Sequence, residues 1–80
     1  MQGGLRVLSG TDVVSILGRF GFTVIGWTKH VKLRRSGTNG NETLVIPAHS
    51  PIAKGTLRVI FSQASRYVPQ EQLRPHFYND

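Results

Sequence analysis

Residues 29–47, KHVKLRRSGTNGNETLVIP, contain two strand-like stretches separated by residues typical of a turn. In residues 29–35, Val31 and Leu33 alternate with polar side chains, as is typical of a strand with one buried face. In residues 43–47, Leu44 and Ile46 are predicted to face inward, and Pro47 ends the stretch. Residues 36–41 combine Ser, Gly, Thr and Asn, which favour tight turns. The stretch therefore predicts a β-hairpin.

The first strand of this hairpin has two chemically different faces. Side chains alternate along a strand, so His30, Lys32 and Arg34 share one face, and Val31 and Leu33 share the other. The apolar pair is suited to a core. The other face carries a group that titrates near pH 7 together with two fixed cations. This pattern indicates binding or cleavage of a polyanion, and we predict that the polyanion is RNA.

A helix over residues 9–20 is predicted before the strands. Ser9 is a favourable N-cap, and Asp12 follows three residues later, as in a capping box. Gly21 is a typical C-terminal stop. The apolar residues between them recur at helical spacing: Val13, Ile16, Leu17 and Phe20.

Residues 22–27 are predicted as the first strand. We expect Trp27 to pack in the core rather than to stack on a base. Residues 1–8 form a short lead-in. Its apolar side chains are expected to touch the core: Leu5, Val7 and Leu8.

A second helix begins near Gly55, after a loop over residues 48–54. Its apolar side chains recur at i, i+3, i+4 and i+7: Leu57, Ile60, Phe61 and Ala64. The tail, residues 67–80, is predicted to contain a short polar turn over 70–74. Its apolar side chains are expected to pack back on the body: Leu73, Phe77 and Tyr78. The fold class is therefore α+β, with a helix, three antiparallel strands and a helix. Two helices cover one face of such a sheet and leave the other face open.

Composition limits the classes of function. The chain has 80 residues, with 10 Lys and Arg against 4 Asp and Glu, a formal net charge of +6 and no cysteine. Such a basic balance favours nucleic acid, an anionic membrane surface or an acidic protein as a partner. No run approaches the roughly 20 apolar residues of a membrane span, and the start lacks the order of a secretory signal. We therefore expect a cytoplasmic domain without disulfides.

The motifs and their order resemble the HicA toxins of bacterial and archaeal toxin–antitoxin pairs. The segments that carry this resemblance are Leu8-Ser9-Gly10, Phe20-Gly21-Phe22, His30-Val31-Lys32-Leu33-Arg34, Pro47-Ala48-His49, Gly55-Thr56-Leu57-Arg58, and the tail from Gln63 to Tyr78. One departure is local: the family usually has Gly-Ser before the histidine, and this chain has Thr28-Lys29.

The resemblance implies a fold like a double-stranded-RNA-binding domain, ribonuclease activity on messenger RNA and inhibition by a HicB-type antitoxin. It implies one domain over residues 1–80, with a core over about 8–66 and a tail over 67–80. The toxin would be a monomer alone or a hetero-oligomer with its antitoxin.

We assign His30 the role of general acid/base, because an imidazole can take the proton of an RNA 2′-hydroxyl or protonate the leaving oxygen. Lys29, Lys32 and Arg34 would stabilise charge on the phosphoryl oxygens. Lys54 and Arg58, at the start of the second helix, could hold a further phosphate.

The alternative is a non-catalytic RNA-binding module that uses the same face. Neither reading needs a cofactor or a metal, because the histidines have no metal-ligand spacing and carboxylates are few. His49, in a loop, and His76, in the aromatic tail, are expected to have structural or incidental roles.

Overall fold

The computed structural model describes residues 4–79, so the first three residues of the predicted lead-in and the last residue of the tail lie outside the described part. The elements are helix α1 (Gly10–Gly18), strands β1 (Thr23–Trp27), β2 (His30–Gly37) and β3 (Gly40–Pro47), and helices α2 (Lys54–Ala64) and α3 (Gln70–Phe77). The predicted order of helix, three antiparallel strands and helix is confirmed. A third helix follows it.

The central hairpin pairs over its whole length. β2 and β3 are antiparallel from His30 opposite Pro47 to Gly37 opposite Gly40. The turn between them is therefore shorter than the predicted 36–41. Gly40, the first residue of β3, has a positive φ of 111°, a conformation that glycine adopts without steric cost. The strand order is β1-β2-β3, so β2 is the central strand.

The alternation predicted for β2 separates a core face from an open face. Val31 and Leu33 are completely buried, and Leu44 and Ile46 of β3 lie beside them in the core, as predicted. α1 packs on β2 and β3, and α2 packs on β3. The helices thus cover one face of the sheet and leave the other face to solvent.

The start of α1 is fixed by the predicted capping box. The amide of Asp12 donates to Ser9 Oγ (3.1 Å), and the amide of Ser9 donates to Asp12 Oδ2 (2.9 Å). Gly10 follows in a position without room for a side chain, because an added Cβ would lie 2.5 Å from the carbonyl oxygen of Pro47. α1 is therefore seated directly against the end of β3.

The predicted polar turn over 70–74 is wrong, because these residues belong to α3. Leu73 and Phe77 of this helix are completely buried. The Phe77 ring meets the Phe61 ring edge-on at 5.3 Å, and Tyr78 meets the same ring at 5.2 Å. Packing against α2 thus stabilises a short helix whose sequence is largely polar and contains Pro75. The predicted packing of the apolar tail residues is confirmed.

Two predicted core residues are exposed. Trp27 retains 52% of its accessible surface, and Val7 retains 78%. Trp27 lies opposite Val31 and so on the core side of the sheet, but β1 is an edge strand and the helices pack on the other two strands. Leu5 and Leu8, the other two lead-in residues predicted to touch the core, are buried.

Arg35 joins the sheet to the ends of two helices. Its Nε donates to Glu42 Oε1 (2.7 Å), Nη1 to the carbonyl of Phe20 (2.8 Å) and Nη2 to the carbonyl of Tyr67 (2.8 Å). Its guanidinium also lies 4.9 Å from the centre of the Phe22 ring. These contacts fix the segments that leave α1 and α2 against β2 and β3.

Candidate functional site

His30 is the first residue of β2, directly after the short turn from β1. The amide of Thr28 donates to the His30 carbonyl (3.0 Å), and the amide of Ala48 donates to the Lys29 carbonyl (3.1 Å). Backbone bonds on both sides therefore hold this position. Across the hairpin, His30 faces Pro47, so the histidine stands at the end of the open face.

The imidazole of His30 is exposed and has no hydrogen-bond partner among residues 4–79. A general acid or base must come within hydrogen-bond reach of the proton that it moves. Both ring nitrogens of His30 are free to approach a substrate on this face.

Lys32 and Arg34 continue the open face from His30, and both are exposed. Successive residues on one face of a strand are about 6.7 Å apart, so the three side chains form an evenly spaced row. The carboxylates of the described part lie elsewhere: Asp12 caps α1, Glu42 pairs with Arg35 and Glu71 lies in α3. The row is therefore cationic without a neutralising partner on its own face.

The remaining predicted RNA contacts are not on this face. Lys29 is exposed in the turn just before His30. Lys54 and Arg58 are exposed in the first turns of α2, which belongs to the helix layer. The structure thus brings together His30, Lys32 and Arg34, and it leaves the two α2 cations on the other side of the sheet.

The open face also includes apolar surface that the sequence reasoning missed. Val45 lies opposite Lys32 and keeps 48% of its surface exposed, and Thr43 lies opposite Arg34. The signal was present, because Leu44 and Ile46 were predicted to face inward and the residue between them must then face outward.

His49 and His76 lie outside this row. His49 is exposed in the loop after β3, and its carbonyl accepts from the amide of Gly10 (2.8 Å). His76 is half-buried in α3, where its ring meets Phe20 edge-on at 5.7 Å. Within residues 4–79, no three His, Asp or Glu side chains are grouped in a way that could hold a metal ion.

An open cavity of about 310 Å³ lies on the helix side of the molecule, and none of the predicted RNA-contacting residues line it. The residues around it are Arg6, Val7, Leu8, Asp12, Ser15, Ile16, Arg19 and His76. The candidate site is therefore an exposed surface rather than a pocket. None of the helices in the described range has the length and apolar character needed to cross a membrane.

A comparison with protein-family models matches residues 10–65 to the HicA toxin of bacterial toxin–antitoxin systems. The chain belongs to the HicA toxin family. The match runs from the start of α1 to the end of α2, so it includes the whole sheet and His30. The resemblance noted from the sequence is confirmed, and α3 lies beyond the matched residues of this HicA-family chain. Searches of curated proteins and of solved structures found no match.

Proposed function

We propose that this HicA-family chain is a metal-independent endoribonuclease that cleaves messenger RNA in the cytoplasm and is neutralised by a HicB-type antitoxin. The observation that carries the proposal is the exposed, unpaired imidazole of His30 in one row with two cations on an open sheet face. An extended polyanion can lie along such a face without displacing any part of the fold.

The reaction uses a nucleophile that RNA itself contains. His30 accepts the proton of a ribose 2′-hydroxyl, and the oxygen attacks the adjacent phosphorus. The new O–P bond forms as the bond to the 5′-oxygen of the next nucleotide breaks, and that oxygen takes up a proton from water or from the imidazolium. General acid/base catalysis of this kind contributes roughly 10²–10⁴-fold.

The cations stabilise the charge that builds on the phosphoryl oxygens. Lys32 and Arg34 extend from His30 along the face, and Lys29 lies just before it. Lys54 and Arg58 would contact RNA that passes around the domain, at a helix start with no side-chain cap. A partner with an acidic surface would cover the same face and block the reaction.

Replacing His30 by alanine tests the catalytic role. We expect His30→Ala to lower the rate of mRNA cleavage by about 10²–10⁴-fold while RNA affinity stays within a few-fold of the original chain. His76→Ala is the matched control, because it removes a histidine from the helix layer. Chelation of divalent metals should leave the rate unchanged, and an all-deoxyribose strand should bind without being cut. A fully active, folded His30→Ala variant would remove the histidine from the mechanism.

The binding role of the row is tested by the salt dependence of RNA affinity. Lys32→Ala combined with Arg34→Ala removes two phosphate contacts, so the slope of log K against log salt should fall by about 1.4 for single-stranded RNA. Arg19→Ala combined with Arg66→Ala removes the same charge from exposed positions outside the sheet. Equal slopes for the two double variants would show that RNA binds elsewhere.

A non-catalytic RNA-binding module is the second candidate. The specific observation is Lys29, which adds a cation immediately before the histidine where the family usually has serine. RNA binding by the original chain without any His30-dependent cleavage would favour this candidate.

A further inference from the structure

The outer edge of β1 is an exposed strand that the helices leave uncovered. All five of its residues, Thr23–Trp27, are exposed, and none of them is charged. β1 pairs with β2 on one side, and no other strand of residues 4–79 joins its sheet on the far side. The backbone N–H and C=O groups that point away from β2 are therefore free to pair with another extended chain.

This edge also presents apolar side chains. Val24 keeps 42% of its surface, Ile25 45% and Trp27 52%. Val24 and Trp27 lie opposite Leu33 and Val31, so they extend the core side of the sheet beyond the helices. Tryptophan is among the residues that contribute most to protein–protein binding. The edge therefore offers both backbone and side-chain contacts to a partner.

We infer that the β1 edge, residues 23–27, binds an extended segment of the antitoxin that adds a fourth strand to the sheet and carries acidic side chains. The inference rests on the proposed function, because it names how that partner is held. Strand addition takes its affinity from main-chain hydrogen bonds and its specificity from alternate side chains.

The charge around the edge selects an acidic segment. On the open face, Gly26 of β1 lies opposite Lys32, and Thr23 lies opposite Arg34. Lys29 follows β1 directly in the chain. A strand paired with β1 would lie two strand spacings, about 9.5 Å, from β2, with Gly26 and Thr23 between them. The long side chains of Lys32 and Arg34 can reach toward it, so they favour carboxylates there over further cations.

A second copy of this chain does not fit the edge as well. Each copy carries a net charge of +6, and pairing two β1 edges would bring both sets of cations to one sheet. The register also shifts between Val24 and Gly26, which marks a β-bulge. Pairing of two copies would bring two such bulges together, whereas a partner segment of different sequence has to fit only one.

RNA fits the edge poorly for a different reason. Contacts of cations with phosphates supply most of non-specific nucleic-acid affinity, and β1 contains no cation. Trp27 is the aromatic residue of this strand, and one ring without a cation in the strand lacks the charged groove that accompanies stacking in single-strand binding sites. The cationic row and the β1 edge are thus adjacent surfaces suited to different partners.

The size of the edge explains how its occupant would inhibit the enzyme. Five residues of strand span about 17 Å, and a stable interface buries about 800 Å² on each partner. A segment bound only at β1 is too small for that, so the antitoxin must continue onto adjoining surface. The adjoining surface of the sheet is the open face of β2, which contains His30.

Side-chain substitutions at the edge test this inference against the purified cognate antitoxin. Ile25→Glu and Trp27→Ala should each weaken antitoxin binding by about 10- to 30-fold in calorimetry, as expected for residues at the centre of an interface. Val59→Glu is the matched control, because Val59 is 54% exposed on α2. Trp27→Phe should retain most of the affinity. RNA cleavage by each variant without antitoxin should stay within a few-fold of the original.

Hydrogen exchange of the complex gives a second measurement that does not depend on substitution. Strand addition predicts that outward β1 amides, which exchange rapidly in the free chain, become protected when the antitoxin binds. If these amides become protected in the free chain as its concentration rises, a second copy of the chain occupies the edge. That result would overturn the inference. A loss of RNA affinity in Trp27→Ala with unchanged antitoxin affinity would overturn it in favour of RNA.

The two proposals fail in different ways. If the edge variants bind the antitoxin normally and β1 amides stay unprotected, the inference is wrong, and His30-dependent cleavage still supports the proposed function. If β1 becomes protected and the edge variants bind weakly, but cleavage does not depend on His30, the inference holds and the catalytic proposal fails. An original chain that binds no antitoxin at all would overturn the inference.

Discussion

Substituting Arg35 by methionine should destabilise the fold strongly, because its guanidinium makes three hydrogen bonds that no other group can replace. The bonds reach Glu42, the Phe20 carbonyl and the Tyr67 carbonyl at 2.7, 2.8 and 2.8 Å. Breaking a buried ion pair costs about 3–5 kcal/mol. The two side chains keep 24% and 18% of their surface, so water compensates part of the loss. We therefore expect Arg35→Met to lower the free energy of unfolding by about 3 kcal/mol.

Thermal and urea unfolding measure this effect. For a domain of this size, 3 kcal/mol corresponds to a decrease of roughly 12–24 °C in Tm. Arg34→Met is the matched control, because it removes the same group from the neighbouring residue on the solvent-exposed face. Its effect should stay within about 0.5 kcal/mol. A loss below 1 kcal/mol for Arg35→Met, or equal losses for the two variants, would show that the Arg35 hydrogen bonds do not stabilise the fold.

The double variant separates the ion pair from the backbone contacts. Glu42→Gln removes the carboxylate that Arg35→Met leaves without a partner, so the double variant should be more stable than the sum of the single losses predicts. A purely additive result would mean that the loss comes from the two carbonyls.

Two further predictions concern α1. Gly10→Ala should lower the free energy of unfolding by about 1–2 kcal/mol, because the new Cβ would meet the Pro47 carbonyl. Gly18→Ala has open space and should raise the free energy of unfolding by about 0.5–1 kcal/mol. Urea titrations of both variants check the two signs. The hydrogen bond from the Ser9 amide, and then the one with the Ser9 side chain, lower the pKa of Asp12 below its usual value of 3.8. The stability contributed by this carboxylate is therefore present above the usual pKa and is lost as the pH falls through the lowered one. Asp12→Asn should be less stable than the original chain at neutral pH, and this difference should shrink in strong acid; a constant difference would contradict the linkage.

The row of candidate site residues was predictable because it depends on local geometry. Period-two alternation places His30, Lys32 and Arg34 on one face wherever the strand lies, provided that Val31 and Leu33 face the core. The capping box at Ser9 was predictable for the same reason, since its partners are three residues apart. Both predictions depend only on residues that are close together in the sequence.

The errors concern residues whose surroundings come from distant parts of the chain. Trp27 is of a type that usually packs in a core, but its exposure depends on where α1 and α2 lie across the sheet. α3 is polar and contains Pro75, so its helix is explained by the burial of Leu73 and Phe77 rather than by propensity. Local patterns contain no information about these contacts.

The sequence alone predicted the fold class, the hairpin, the faces of β2 and the excess of positive charge. It did so because hydrophobic periodicity, turn residues and charge are properties of short segments. Only the three-dimensional packing shows that Arg35 is a structural residue, that Lys54 and Arg58 lie in the other layer, and that β1 has a free apolar edge. These outcomes depend on how the helices are seated on the sheet, and that seating results from packing between residues far apart in the chain.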